Sequence, residues 1–91
     1  MKTYLISYDL VQNAPLQEYE NLINAIKAYQ IWAKPLESVW LIKTEQTASE
    51  IMNYLLKFVT TKDRILVVRV TPDWMSYGLP LQVTDWMKTG L

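Results

Sequence analysis

The order of strand-like and helix-like segments constrains this chain more than any other feature of its sequence. Residues 3–9 are rich in aromatic and β-favouring residues and predict a first strand, which a turn at Val11-Gln12-Asn13-Ala14-Pro15 should end. Pro15 suits the first position of a helix, and apolar residues then recur at helical spacing. The sequence therefore predicts a helix that ends near Tyr29.

The middle of the chain predicts a hairpin. Residues 31–34 are too few for a helix and precede Pro35, which cannot donate to a central ladder, so they predict a short edge strand. Residues 37–44 (ESVWLIKT) form a stronger strand pattern. We expect the two strands to pair around a turn at Pro35-Leu36.

A second helix and a last strand follow the hairpin. Thr47 and Glu50 have the spacing of a capping box, and the apolar periodicity after them predicts a helix over residues 48–59. Residues 64–70 (RILVVRV) are the most strand-like stretch, so we expect this strand to be central or buried on both faces. Beyond it, Pro80 predicts a short helix that includes Met87.

This order is the split βαβ pattern of the ferredoxin-like fold, a βαββαβ sandwich of the α+β class. We expect one antiparallel sheet with both helices on one face. A chain of 91 residues has room for one domain, 1–91, with a core at about 2–71 and an aromatic tail at 72–91 that carries the short helix.

The opposite face of this sheet is predicted to be covered as well. Two of the three main strands are apolar on both sides, whereas a sheet with one wet face alternates more cleanly. The cover is a second copy of the chain, the aromatic tail, or both. We favour a homodimer, because symmetric pairs are the commonest oligomers.

Composition narrows the chemistry. The chain has no Cys and no His, which removes disulfides, thiolate nucleophiles, imidazole bases and the common transition-metal sites. Nine basic and nine acidic residues give a net charge of zero, so no strong overall attraction to phosphate backbones is expected. No apolar run is long enough for a membrane span, and we expect a cytoplasmic protein without a membrane partner.

Asp9 is the sharpest candidate for chemistry, since it stands where the first strand ends. In one interpretation, the Asp9 carboxylates of two symmetry-related copies bind Mg²⁺ or Mn²⁺ together. In the other, Asp9 accepts hydrogen bonds from backbone N–H groups of the turn that follows it. The residues alone favour the turn. Glu37 is a weaker second carboxylate, and Ser7 and Ser38 are expected to form hydrogen bonds within the sheet.

Basic and aromatic residues are the candidates for a binding surface. A phosphate-binding or partner-binding surface would use the strand-end cations Lys34, Lys43, Lys62, Arg64 and Arg69, with Trp32 or Trp40 stacked on bases and Trp74 in the tail. The alternative, which we favour, is that the cations are solvated and that Trp32 and Trp40 fill the core or a dimer interface. The tail itself is a candidate surface for a protein partner.

Several short segments in this order resemble a known family. YDL at the end of the first strand, SVW at 38–40 and DRI at 63–65 are similar to the CRISPR-associated protein 2 superfamily, and more closely to its free-standing SinR-like bacterial relatives. The VapD ribonuclease toxins are more distantly similar. The resemblance covers residues 2–71, and the tail fits only the SinR-like relatives.

The resemblance implies a ferredoxin-like homodimer in which Asp9 of each copy approaches the two-fold axis. It also implies a scaffold for nucleic acid, or a metal-dependent nuclease or endoribonuclease that uses the paired Asp9 residues as catalytic and metal-binding groups. Family members usually carry arginines soon after the strand-end Asp, whereas residues 11–20 of this chain contain none. The sequence therefore favours a non-catalytic binding module for nucleic acid or protein, with the nuclease as the alternative.

Overall fold

One open, four-stranded antiparallel sheet organises the molecule. The computed structural model describes residues 1–11 and 15–91, and its strands lie side by side in the order β2-β3-β1-β4. The strands are β1 (Lys2–Asp9), β2 (Trp32–Leu36), β3 (Val39–Thr44) and β4 (Arg64–Arg69). The α-helices are α1 (Leu16–Lys27), α2 (Ala48–Leu55) and α3 (Leu81–Lys88), and a 3₁₀ turn, Leu56–Phe58, follows α2. The predicted α+β class with one antiparallel sheet is confirmed.

The first helix, α1, follows the predicted turn and begins at Leu16. That turn, at residues 11–15, falls largely outside the described residues. From Leu16 onward the helical spacing is confirmed, since Leu22, Ala25 and Ile26 are buried. Leu16, at the start of the helix, is nevertheless 73% exposed.

The core lies between α1, α2 and one face of the sheet. Strand alternation directs Tyr4 and Ile6 of β1 towards the helices, where they are 3% and 0% exposed. The neighbouring strand β3 contributes Trp40 and Ile42 to the same layer. Burial of side chains of this size stabilises the fold by about 1.5 to 3 kcal/mol each, so this layer holds the domain together.

The N-terminus of α2 is fixed by its sequence. The Thr47 hydroxyl accepts a hydrogen bond from the Glu50 N–H at 3.2 Å, and the Glu50 carboxylate accepts one from the Thr47 N–H at 3.0 Å. The predicted capping box is therefore confirmed. Reciprocal bonds of this kind satisfy two N–H groups that the helix leaves without partners.

The prediction that the last strand is central or buried on both faces is wrong. Strand β4 is at the edge of the sheet and pairs only with β1, from Tyr4↔Arg69 to Asp9↔Arg64. Its Ile65 and Val67 pack against the core, whereas Leu66 and Val68 on the other face are 56% and 43% exposed. Two apolar rows predicted burial, but the chain covers only one of them.

The hairpin has its predicted edge strand and a different turn. Pro35 lies inside β2, and the turn is formed by Glu37 and Ser38 rather than by Pro35 and Leu36. Strand β2 pairs on one side only, so the missing N–H of Pro35 is tolerated, with a register shift between Ala33 and Leu36. Ser38 has a φ of 58° in this turn.

The tail returns to the face of the sheet opposite α1 and α2. Helix α3 contacts β2, and its Met87 is only 8% exposed. The Lys43 ammonium donates to the Thr89 hydroxyl at 2.9 Å and lies 4.7 Å from the centre of the Trp86 ring. Within residues 1–11 and 15–91, no helix is long and apolar enough to cross a membrane.

Candidate functional site

Asp9 lies at the exposed end of β1, opposite Arg64 of β4. A shallow cleft of about 480 Å³, here called the Asp9 cleft, is lined by Asp9, Leu10, Val11, Lys62 and Arg64. A smaller depression of about 230 Å³ brings in Ser7 on the same side of the strand. The fold therefore places one carboxylate between two cations.

The turn after β1 is held by a different carboxylate. Asp63, just before β4, accepts hydrogen bonds from the Val11 N–H and the Thr60 N–H, each at 2.8 Å, and from the Thr60 hydroxyl at 3.1 Å. The bonds from the Thr60 and Val11 N–H groups lower the pKa of Asp63 below its ordinary value. The role predicted for Asp9 as turn acceptor is thus filled, among the described residues, by Asp63.

Sequence reasoning missed Asp63 although a signal was present. Thr60 and Asp63 are three positions apart in a polar turn, which is the spacing of local side chain to backbone bonding. That signal predicts the bonds to Thr60. It does not predict the bond to Val11, which joins residues 52 positions apart and depends on the pairing of β1 with β4.

Mg²⁺ and Mn²⁺ ions prefer carboxylate oxygens, and among residues 1–11 and 15–91 the Asp9 cleft is lined by one carboxylate, that of Asp9. Across residues 1–11 and 15–91, no three His, Cys, Asp or Glu side chains are grouped to hold a metal. Glu37 lies in the β2–β3 turn, 3.5 Å from the Lys34 ammonium, and lines neither depression.

The predicted binding residues do not form one surface. Arg64 and Arg69 are at opposite ends of β4, about 17 Å apart at the usual rise per residue. Lys34 pairs with Glu37 on β2, and Lys43 is engaged with the tail. Trp74 and Arg69 both line the groove described below. Lys62 and Arg64 line the Asp9 cleft, at the other end of β4.

The tryptophans of the hairpin belong to the core and its margin. Trp40 is 2% exposed and its indole N–H points to the Tyr8 hydroxyl at 3.4 Å. Trp32 packs edge-on against it, with ring centres 5.2 Å apart. The prediction that these residues fill the core is confirmed for Trp40, which has no face available for a base.

The open face of the sheet carries an apolar groove. This tail groove, of about 620 Å³, lies between the sheet and residues 70–91. Its sheet side is mostly apolar, with Arg69 at the end of β4, and its tail side includes the two aromatic residues of the loop before α3. The apolar and aromatic lining residues used here are Leu5, Val39, Leu41, Trp74 and Tyr77. Tyr77 is fully exposed at the rim.

No known protein-family model matches this chain. The roles of Asp9 and of the open face are therefore inferred from their surroundings in the fold.

Proposed function

We propose that this protein is a non-catalytic binding module that forms a homodimer through the open face of its sheet. The strand order β2-β3-β1-β4, with α1 and α2 against one face, supports a ferredoxin-like arrangement. Such an arrangement leaves the second face for a partner. The tail covers the β2 side of that face and leaves the β4 side open.

The exposed apolar row on β4 carries this proposal. Leu66 and Val68 lie two residues apart on one side of an edge strand, and both remain largely accessible in the single chain. Exposed apolar area is unfavourable in proportion to its size, and contiguous exposed apolar side chains mark interaction surfaces. A two-fold axis beside β4 would bring the row of each copy against that of the other.

The arrangement favours a protein partner over nucleic acid. Duplex binding draws its affinity from several cations that meet neighbouring phosphates. Here two of the five predicted cations, Lys34 and Lys43, already contact other groups of the chain, and the arginines of β4 lie at opposite ends of the strand. The open face offers apolar area instead, which a second copy of the chain complements.

We also propose that the chain is a distant relative of the CRISPR-associated protein 2 superfamily, closest to the SinR-like proteins. The YDL segment lies at the end of β1 and the SVW segment at the start of β3, so both segments lie at strand ends of one sheet. The same resemblance implies a homodimer. It does not by itself assign an activity, because unrelated functions share this fold.

Sedimentation velocity of matched variants tests the dimer. Leu66→Lys places a charge in the proposed interface, whereas Leu56→Lys places the same charge at a leucine of nearly equal exposure, 54%, in the 3₁₀ turn. Wild type and Leu56→Lys should sediment as dimers at micromolar concentration and Leu66→Lys as a monomer. A monomeric wild type, or equal behaviour of the two variants, would remove the proposal.

Metal-dependent cleavage of nucleic acid is the second candidate, favoured by the exposure of Asp9 beside two cations. Because one chain supplies one carboxylate, this candidate requires Asp9 of a second copy. Asp9→Asn should then abolish cleavage of RNA and DNA in the presence of Mg²⁺ or Mn²⁺ while the dimer persists. Asp85→Asn, at an exposed position of α3, is the control, and equal activity of both variants would end this candidate.

A further inference from the structure

A second cleft lies on the helical side of the molecule, away from the open face. It has a volume of about 480 Å³ and is bordered by the C-terminal end of α1 and one side of α2. It shares no lining residue with the Asp9 cleft or the tail groove. We call it the tyrosine cleft; the residues used below are Tyr29, Gln46, Glu50, Asn53, Tyr54 and Lys57.

The middle of the tyrosine cleft is aromatic. The rings of Tyr29 and Tyr54 meet edge to face, with centres 5.7 Å apart and planes at 82°. Both hydroxyls are used within the fold, since Tyr29 donates to the Gln46 side-chain oxygen at 2.7 Å and Tyr54 donates to the Ala25 carbonyl at 3.2 Å. The rings, and not free hydroxyls, therefore form this part of the surface.

The Tyr29 hydroxyl stays protonated over the physiological pH range, so its hydrogen bond to Gln46 does not change with pH. Burial, followed by the nearby Tyr54 and Glu50, raises the pKa of Tyr29 to about 12. The phenol is neutral at every physiological pH and continues to donate to Gln46. Because the Gln46 oxygen accepts this bond, its amide N–H₂ group is left to face other partners.

The two sides of the aromatic middle have opposite charges. Glu50 and Lys57 are seven positions apart, which separates their backbones by about 10 Å along a helix. Both are exposed, and neither forms an ion pair with any residue in 1–11 or 15–91. The capping bond from the Thr47 N–H to one Glu50 oxygen holds that carboxylate in place and leaves its other oxygen available.

We propose that the tyrosine cleft binds an ω-amino carboxylate, a ligand whose ammonium and carboxylate groups are joined by a short apolar chain. The Glu50 carboxylate would accept from the ammonium group, and the Lys57 ammonium would donate to the ligand carboxylate. The methylene chain would lie on the rings of Tyr29 and Tyr54, where it is removed from water. The Asn53 amide, which lines the cleft between Glu50 and Lys57 in the sequence, would donate to the carboxylate.

This ligand chemistry has two sources. A free ω-amino acid carries both charges on one small molecule, and a lysine at the C-terminus of a peptide carries the same pair. The cleft would recognise the shared feature, the distance between the two charges. The inference does not depend on the proposed homodimer, because the tyrosine cleft is on the helical side and Leu66 is on the open face.

A titration followed by amide chemical shifts tests the proposal. With ε-aminocaproate, the amides of Tyr54 and Gln46 should shift and saturate. Caproate and n-hexylamine, which each carry one of the two charges, should bind about five- to tenfold more weakly, as should the shorter γ-aminobutyrate. The wild-type spectrum without ligand is the reference for each series.

Two variants remove one charge each. Glu50→Gln keeps a side chain that a capping box accepts, and Lys57→Met keeps most of the length of the lysine. Each should weaken ε-aminocaproate by about five- to tenfold. Glu20→Gln and Lys88→Met, exposed and outside the cleft, should leave the affinity unchanged.

The outcomes separate the alternatives. A tripeptide that ends in lysine, compared with the same peptide amidated, distinguishes the two sources, because only the free acid keeps both charges. Absence of shifts at the tyrosine cleft with ε-aminocaproate and with the peptide would overturn the proposal. Equal affinity of wild type and Lys57→Met would overturn it as well, and that variant removes no hydrogen bond among the described residues.

Discussion

The two faces of the sheet are built from the same strands and end in different environments. On the helical face, Ile6, Trp40 and Ile42 are at most 2% exposed, whereas Leu66 and Val68 on the other face are about half accessible. Both rows are apolar, so hydrophobicity alone does not separate them. The difference is the cover, since two amphipathic helices match one face and a tail with one short helix covers only part of the other.

The largest expected effect is on the helical face. Ile6→Ala should lower the free energy of unfolding by about 2 to 5 kcal/mol, because it leaves a cavity in a fully packed layer. Leu66→Ala, on the open face, should cost less than about 1 kcal/mol in the monomer. Urea unfolding at low protein concentration measures both, and equal losses would contradict the contrast between the faces.

The tail should contribute an intermediate amount. Met87→Ala removes the most buried side chain of α3 and should cost about 2 kcal/mol, at the lower end for such changes, since α3 is a short helix on one part of the sheet. Urea unfolding followed by tryptophan fluorescence measures the loss, with Leu81→Ala at a 72% exposed position of the same helix as control. No change in Met87→Ala would mean that the tail does not hold to the sheet.

The contribution of the Asp63 turn to the stability of the fold should depend on pH. The pKa of Asp63 is lowered in the folded state, so its carboxylate stabilises the fold above its unfolded pKa of about 3.9. This stabilisation is lost as the pH falls through the lower, folded value. Asp63→Asn should therefore be less stable than wild type at neutral pH, with a difference in urea midpoint that narrows in acid.

The control for this comparison is Asp73→Asn, an exposed aspartate of the tail. Its difference from wild type should stay small at every pH. A gap between wild type and Asp63→Asn that is constant from neutral pH to below pH about 3 would show that the three hydrogen bonds to Asp63 are not what stabilises the turn.

The smallest effect should come from the outer contact of the tail. Lys43→Met removes the bond to Thr89 and the cation over the Trp86 ring, and it should cost about 0.5 to 1 kcal/mol. Lys88→Met, an exposed lysine of α3, is the matched control and should stay within about 0.5 kcal/mol of wild type. Urea midpoints compare the two variants, and a larger loss in the control would assign the stability elsewhere.

The segments of the fold were predictable because they depend on local patterns. The capping box of Thr47 and Glu50 marked the start of α2, and the helical spacing from Leu16 marked α1. The position of β4 in the sheet was not predictable. The segment RILVVR is apolar on both faces, and this pattern is the same for a central strand and for an edge strand. The position of β4 follows from its pairing with β1, and that pairing depends on the arrangement of the whole sheet.

The candidate site was predicted only in part for the same reason. The sequence indicated a strand-end Asp9 and a polar turn before β4, and both are present. Which aspartate accepts the N–H of Val11 depends on the approach of two segments 52 positions apart, so Asp63 was missed. The tyrosine cleft was missed too, because Tyr29 and Tyr54 come together only when α1 and α2 pack.

The central claim is that helices of the same chain cover one face of the sheet and that a second copy of the chain covers the exposed part of the other face. Relaxation of methyl signals by a dissolved paramagnetic agent, measured at low and high protein concentration, tests this claim directly. Ile6 and Ile42 should be protected at both concentrations, and Leu66 and Val68 should become protected only at the higher one. Leu66 and Val68 methyls that remain accessible at high concentration would contradict it.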